Sequence, residues 1–307
     1  MTLRVAVLIP CYNEHIAIPT VVAAFRAVLP DAVVYVYDNN STDGTADAAR
    51  RAGALVRTER LQGKGHVIRR MFADIDADAY VLVDGDDTYD AGSAPVMVRL
   101  LVADGLDMVN GARVSDAAAA YRTGHKLGNQ VLTGLVSAIF GDRVSDILSD
   151  YRVFSRRFVK SFPALSQGFE TETEFTVHAL ELRMAIGEIQ TPYKERPPGS
   201  VSKLHTYSDG LRILRAIVVL VKEERPLQFF SAAAGLLLLL ALALGVPIVT
   251  EFMQTGLVPR LPTAVLATGL VLLAFLSSAC GLILDSVARG RREFKRLAYL
   301  AVPPYRP

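Results

Sequence analysis

The chain has 307 residues, room for one substantial domain and an appendage, and its 33 basic and 31 acidic residues leave a formal net charge of +2. That balance gives no electrostatic footprint for nucleic acid, and two distant cysteines, Cys11 and Cys280, exclude a disulfide framework or a cysteine metal knuckle. A hydrophobic share of 51% and a mean hydropathy of +0.30 are high for a soluble protein, and the excess lies after Arg225.

Leu3–Ile9 and Val33–Tyr37 are short apolar runs rich in β-branched residues and bounded by turn residues, the pattern of buried parallel strands. The first is strand-sized and interrupted by Arg4, so it does not read as a signal peptide. Helical spacing over His15–Leu29 separates the two, with Pro19 near its start. Ser41, Thr42 and Asp43 offer capping oxygens to a second helix over Ala46–Ala52. Leu55–Arg57 and Ala79–Asp84 read as further strands around a helix at Lys64–Asp76. This alternation predicts a doubly wound α/β sheet. Beyond it come a helical pattern at Tyr121–Phe140, a polar loop at Gly141–Arg152 and helices near Arg156–Phe162 and Thr173–Arg183. A late strand at Met184–Gln190 and a Pro- and Gly-rich loop at Pro192–Leu204 follow. Glu170, Glu172 and Glu174 alternate as they would along an extended segment, where they could orient acceptor-site cations or form salt bridges.

Thr206–Glu224 places Leu211, Leu214, Val218 and Val221 on one face, ringed by Arg212, Arg215, Lys222 and Arg225, the pattern of a helix lying in a membrane interface. Phe229–Val249 and Leu261–Leu284 carry no charge, and each is long enough to cross roughly 30 Å of hydrocarbon. Basic residues crowd both flanks, from Lys203 to Arg225 and from Arg289 to Arg296, while the connection Thr250–Arg260 holds one acid and one base. The positive-inside rule then puts both flanks in the cytoplasm. The expected organisation is a cytoplasmic catalytic domain over 1–205, an interfacial helix over 206–226 and a membrane domain over 227–307 with a basic cytoplasmic tail. That is a multi-pass protein of the cell (inner) membrane, in which Gly235, Gly245, Gly269 and Gly281 offer small contacts for a homo-oligomer.

The chemistry sits at strand ends, where open parallel sheets bind ligands. Glu14 follows the first strand and Asp38 ends the second, so both point to one crevice, where a carboxylate can accept from a base N–H or a ribose hydroxyl. No G-x-G-x-x-G turn follows the first strand, which argues against a dinucleotide fold. Asp84-Gly85-Asp86-Asp87 closes the strand Tyr80–Val83, and carboxylates gathered there repel one another unless a hard divalent ion, Mg²⁺ or Mn²⁺, joins them. Such an ion bridges a diphosphate and stabilises the charge that develops as it leaves.

The ordered series Pro10-Cys11-Tyr12-Asn13-Glu14, Asp38–Thr45, Gly63-Lys64-Gly65 and Asp84–Asp87 resembles family 2 glycosyltransferases of the GT-A fold. The likeness is to the branch of dolichol-phosphate mannose synthases and bacterial polyprenyl-phosphate glycosyltransferases. It continues through Gly111–Arg113, Asp146-x-x-Ser149-x-Tyr151-Arg152, Phe169–Glu174 and Gly199–Leu204. The resemblance implies transfer of one hexose from a UDP- or GDP-sugar to undecaprenyl or dolichyl phosphate, inverting and metal-dependent. It implies that Pro10, Tyr12, Glu14, Asp38 and Lys64 bind the nucleotide and that Asp84 and Asp86 hold the metal, Asp86 directly. Arg113 would lie near the acceptor phosphate or the diphosphate, Asp146 near the sugar as base or positioning acid, and Arg196 and Lys203 in a loop that closes over phosphates. Two departures stand out: Asn39-Asn40 where the family has Asp-Gly, and Thr88 where many relatives have Gln. A processive polysaccharide synthase resembles this layout but carries a Q-x-x-R-W motif, and this chain has no Trp. A membrane-anchored, non-catalytic nucleotide-sugar-binding protein would have no reason to keep the Asp84/Asp86 pair.

Overall fold

The structure is a computed structural model that describes residues 2–114, 134, 144–164, 171–197, 219 and 221–305. Most of the expected helix at 121–140 and of the interfacial helix at 206–226 lies outside the described residues, as do Glu170, Lys203 and the rest of the Gly199–Leu204 motif. The chain divides into two compact units, Met1–Ile213 with Phe294–Pro307, and Leu214–Glu293.

In the first unit the strands β1 (Val5–Cys11), β2 (Val33–Asp38), β3 (Leu55–Thr58) and β4 (Ala79–Leu82) alternate with helices α1 (Ile18–Val28), α2 (Thr45–Arg51) and α3 (Lys64–Asp74). They are followed by α4 (Ala94–Ala103), β5 (Met108–Val114), β6 (Arg152–Ser155), α5 (Arg156–Ser161), α6 (Thr171–Glu181) and β7 (Ile186–Pro192). The seven strands form one sheet in the order β3-β2-β1-β4-β6-β5-β7. All pairings are parallel except those of β6, which runs antiparallel between β4 and β5. This is the α/β, mostly parallel sheet that the alternation of elements predicts.

Both faces of the sheet are buried, and β1 shows how. Val7, Ile9 and Cys11 pack with Val21, Val22 and Phe25 of α1 and Met97 of α4, while Ala6 and Leu8 face Ile68 and Met71 of α3 and Phe175 of α6. The second face is aromatic: Phe154 stacks on Phe158 at 4.4 Å between centroids, and Phe175 lies 4.8 Å from Phe154 and from Phe162.

Four local readings change. α4 and β5 have no counterpart among the expected elements; Pro95 looks like a breaker, but it occupies the first turn of α4, where its missing N–H costs nothing. The end of the expected polar loop becomes β6 because Arg152–Ser155 pairs on both sides. Glu172 and Glu174 lie in the first turn of α6, not on an extended segment. The residue at the cap position before α2 is Gly44 at φ +84°, while Asp43 Oδ1 accepts from the Thr45 amide at 3.0 Å.

The second unit contains α7 (Pro226–Thr255) and most of α8 (Leu261–Ala301). Both helices are long and apolar enough to cross a membrane. They exceed the expected spans of 229–249 and 261–284, and α8 continues through the basic residues 289–296 read as a tail. Beyond Pro226 at the start of α7, the buried positions are Ala234, Ala241 and Ile248 on α7 and Ala267, Ala274, Gly281 and Ala288 on α8, each series spaced by seven. A seven-residue repeat of small side chains lets antiparallel helices pack closely along one seam. A Cβ at Gly281 would stand 3.0 Å from Phe230 Cβ, and Ser277 Oγ donates to the Phe230 carbonyl at 2.9 Å. Leu236, Leu239, Leu272 and Leu276 are left exposed, as a lipid-facing surface requires.

Candidate active site

The turns after β1 and β2 are stitched together. Asn13 N donates to Ser41 Oγ at 2.9 Å, Glu14 N to Thr45 Oγ1 at 2.8 Å, and Thr42 N to Asn13 Oδ1 at 2.8 Å. Asn13 and Asn40 both adopt left-handed backbone, φ 54° and 64°, which asparagine tolerates better than most residues. Pro10 lies within β1 opposite Tyr37, and Tyr12 just beyond it is 39% exposed. Glu14 and Asp38 are both buried. Asp38 Oδ2 accepts from Ser41 N at 3.3 Å, whereas Oδ1 is buried with no hydrogen-bond partner among the described residues. An orphaned buried acceptor calls for a donor such as a nucleobase N–H.

The Asn39-Asn40 departure has a structural reason. Asn39 Nδ2 donates to the carbonyls of Glu59 and Leu61 at 2.9 and 2.8 Å, and its Oδ1 accepts from Gly63 N at 2.8 Å. Asn40 Nδ2 donates to the Arg60 carbonyl and to Gln62 Oε1. The pair fastens the loop that precedes α3, and with it Lys64. Thr88 is explained as well: its Oγ1 donates to Asp86 Oδ1 at 2.7 Å and its amide adds a second bond at 3.2 Å.

Lys64 is enclosed by carboxylates from three segments. Its Nζ lies 2.9 Å from Asp84 Oδ1 and 2.9 Å from Glu172 Oε1, and it also pairs with Asp150. Burial would lower the lysine pKa, but Asp150, Asp84 and Glu172 together drive it well above the usual value. The acids are crowded in turn. Burial, then repulsion from Asp150, pushes Asp84 up to about 6; burial, then Glu172, pushes Asp150 up to about 7. Burial and the proximity of Asp84 also raise Asp86.

Asp86 Oδ2 is 2.6 Å from Arg196 Nη2, and Arg196 Nη1 is 3.7 Å from Glu14 Oε1, so Glu14 and Asp86 border one crevice. On the far side Arg113 of β5 makes a fork with Asp146, Nε to Oδ2 at 2.7 Å and Nη2 to Oδ1 at 2.8 Å, and its guanidinium lies 5.5 Å from the Tyr193 ring centre. The structure therefore brings together Lys64 with Asp84, Arg196 with Asp86 and Glu14, and Arg113 with Asp146.

Asp150 and Glu188 were not singled out in the sequence. Glu188 of β7 accepts from Ser145 N at 3.0 Å, Ser145 Oγ at 2.6 Å and Asn110 Nδ2 at 2.8 Å, and Asn110 Nδ2 also donates to the Asp146 carbonyl at 3.0 Å. The fully buried Arg152 donates to the carbonyls of Ser149 and Ile147 and to Thr176 Oγ1, fixing the same loop from below. Asp150 falls on an open position of the Asp146-x-x-Ser149-x-Tyr151-Arg152 motif and Glu188 lies outside every motif, so neither carries a signal in the sequence.

No three His, Cys, Asp or Glu side chains converge as a metal cage among the described residues. Mg²⁺ and Mn²⁺ do not require one, since a pair of carboxylates with phosphate oxygens and water suffices. Asp84 and Asp86, two residues apart at the end of β4 and each already paired with a cation of the chain, supply such a pair of carboxylates.

The family described as Glycosyl transferase family 2 matches residues 6–162. Glycosyltransferase AglJ of Haloferax volcanii is 35% identical over 247 residues, 78% of this chain and 81% of that protein. Dolichyl-phosphate hexose transferase of the same organism is 28% identical over 220 residues, 72% of this chain and 95% of that protein. A crystal structure of glucosyl-3-phosphoglycerate synthase from Mycobacterium tuberculosis with Mn²⁺ and UDP-glucose gives a TM-score of 0.57 at 22% identity, over 72% of this chain and 78% of that one, a likeness of fold.

Proposed function

Because the chain belongs to glycosyl transferase family 2, we propose that it transfers a single hexose from a UDP- or GDP-sugar to a polyprenyl phosphate, undecaprenyl or dolichyl, at a membrane. The observation that carries this reading is Arg196 spanning Glu14 and Asp86 beyond the carboxyl ends of β1 and β4, with Asp38 closing the neighbouring strand β2. The relative named dolichyl-phosphate hexose transferase and the two helices of membrane-crossing length support a lipid-phosphate acceptor. The basic flanks support a cytoplasmic position for the catalytic unit.

Asp38 Oδ1 accepts from the base, Glu14 holds the nucleoside beside it, and Pro10 and Tyr12 line its approach. A divalent ion, Mg²⁺ or Mn²⁺, supplies Lewis-acid stabilisation of the leaving diphosphate when bound. Asp86 through Oδ2 and Asp84 through the oxygen Lys64 leaves would hold it. A lipid phosphate monoester, with a second pKa near 6, is largely dianionic at neutral pH and needs positioning beside another anion more than it needs a base. Arg113 supplies that positioning, and both oxygens of Asp146 are spent on aligning its guanidinium, which makes Asp146 an orienting group. Arg196 and Lys203 screen the phosphates. In-line attack of the lipid phosphate oxygen on the anomeric carbon expels the nucleoside diphosphate and inverts configuration.

The test is transfer from radiolabelled UDP- and GDP-hexoses to undecaprenyl phosphate by the purified full chain in detergent. Label that partitions into organic solvent, dependent on divalent metal, is expected. Water-soluble polymer, or no transfer from any of the donors, would count against the proposal.

A further inference from the structure

Asp84 and Asp86 are each bound to a cation of the chain itself, and the two cations differ. Lys64 is 11% exposed and enclosed by three carboxylates. Arg196 is 30% exposed and reaches the site from the segment after β7. That segment is fastened just short of Arg196: Tyr193 bridges to Tyr89, Lys194 N donates to the Thr88 carbonyl at 2.9 Å, and Lys194 Nζ pairs with Asp87 at 2.9 Å. Arg196 thus stands over Asp86 on an anchored strap. Thr88 occupies Asp86 Oδ1, so Oδ2 is the oxygen that remains for a metal, and Oδ2 is the atom Arg196 holds. The other arm of the guanidinium, Nη1, is buried near Glu14 without a hydrogen bond among the described residues.

We infer that Arg196 is an exchangeable counter-ion, which neutralises Asp86 and Glu14 in the ligand-free site and releases both when a nucleoside diphosphate and a divalent cation arrive together. The inference rests on Asp86 being the metal carboxylate. A guanidinium and a divalent ion cannot share one carboxylate oxygen, since two cations so close repel strongly in a partly buried site. A metal entering alone strands the displaced guanidinium beside Glu14 with its fork half filled. A metal entering with a diphosphate brings oxygens that the guanidinium grips better than it gripped Asp86. Metal and nucleotide therefore bind with positive coupling, and Arg196 sets its size.

The probe is Mn²⁺ alone, with free Mn²⁺ read by electron paramagnetic resonance against the full chain in detergent micelles and no nucleotide present. Arg196→Gln should bind Mn²⁺ more tightly than wild type by up to about fivefold, the scale of a partly exposed ion pair removed from the competition. UDP should then enhance Mn²⁺ binding less in that variant than in wild type. Arg196→Lys, which keeps a charge but not the fork, should fall between. Asp86→Asn should remove the gain from the Arg196→Gln background. Mn²⁺ affinity unchanged or weaker in Arg196→Gln, with Asp86→Asn still damaging, would overturn the exchange and leave the metal assignment standing. Wild-type Mn²⁺ affinity in Asp86→Asn would overturn both. A melting curve for each variant confirms that the comparison is between folded proteins.

Discussion

Asn39 makes three hydrogen bonds to the loop before α3, two donated and one accepted, and a carboxylate can supply only the last. Asn39→Asp should cost about 2–3 kcal/mol, by losing both donated bonds and pressing a carboxylate against two carbonyl oxygens. Thermal unfolding without ligand measures this, and a wild-type melting point would contradict it. The departure from the family's Asp-Gly was visible in the sequence, but its reason was not, because the partners lie 20 and more positions away. His178 is a second buried polar group, its Nε2 3.1 Å from Ser161 Oγ and its ring edge-on to Phe158. Burial, reinforced by Lys295, lowers its pKa from 6.5 to about 3. Above pH 6.5 the ring is neutral whether the chain is folded or not; below it the unfolded chain gains a proton that the folded chain refuses, so stability falls as pH drops from 6.5 toward 3. Between pH 7 and 5 this group should cost about 2 kcal/mol, and the melting point of His178→Gln should fall less steeply over that range than that of wild type.

Among the elements, the strand ends that carry the site were the most readable. Apolar runs with sharp boundaries marked β1, β2 and β4, and the acidic residues beyond them stand together because parallel neighbours end side by side. β6 was hidden, because a strand of four residues ending in a helix cap carries no periodicity of its own. The Arg113–Asp146 fork was hidden for the same reason, since β6 insertion is what brings the two segments level. Gly85 shows how tightly the end of β4 is set: a Cβ there would meet Cys11 Sγ at 2.6 Å and Ile9 Cγ2 at 3.3 Å. The buried Cys11 is thus part of the floor under the two aspartates. Gly85→Ala should push Asp84 and Asp86 outward and lower kcat/KM for transfer at least tenfold, while Cys11→Ala in the same chain should restore much of the loss. Additive losses in that double-mutant cycle would show that the two positions do not meet.

At the scale of the whole molecule, the two long apolar helices were plain from length and composition, and their limits were not, because helix α8 does not stop where its charges begin. Basic flanks and a short, weakly charged connection predict that both ends of the pair lie in the cytoplasm. Val258→Cys, in a Cys280→Ala background, should therefore react with a membrane-impermeant maleimide in intact cells. Labelling that requires permeabilised cells would reverse the topology. The central claim, that Asp86 holds the cation on which sugar transfer to a lipid phosphate depends, is tested most directly by comparing Asp86→Asn with its neighbour Asp87→Asn. Asp87 sits at φ 60°, which asparagine accepts, and its carboxylate faces Lys194. Metal-dependent transfer of labelled hexose into the organic phase should disappear in Asp86→Asn and persist within a few-fold in Asp87→Asn; normal turnover by folded Asp86→Asn would contradict the assignment.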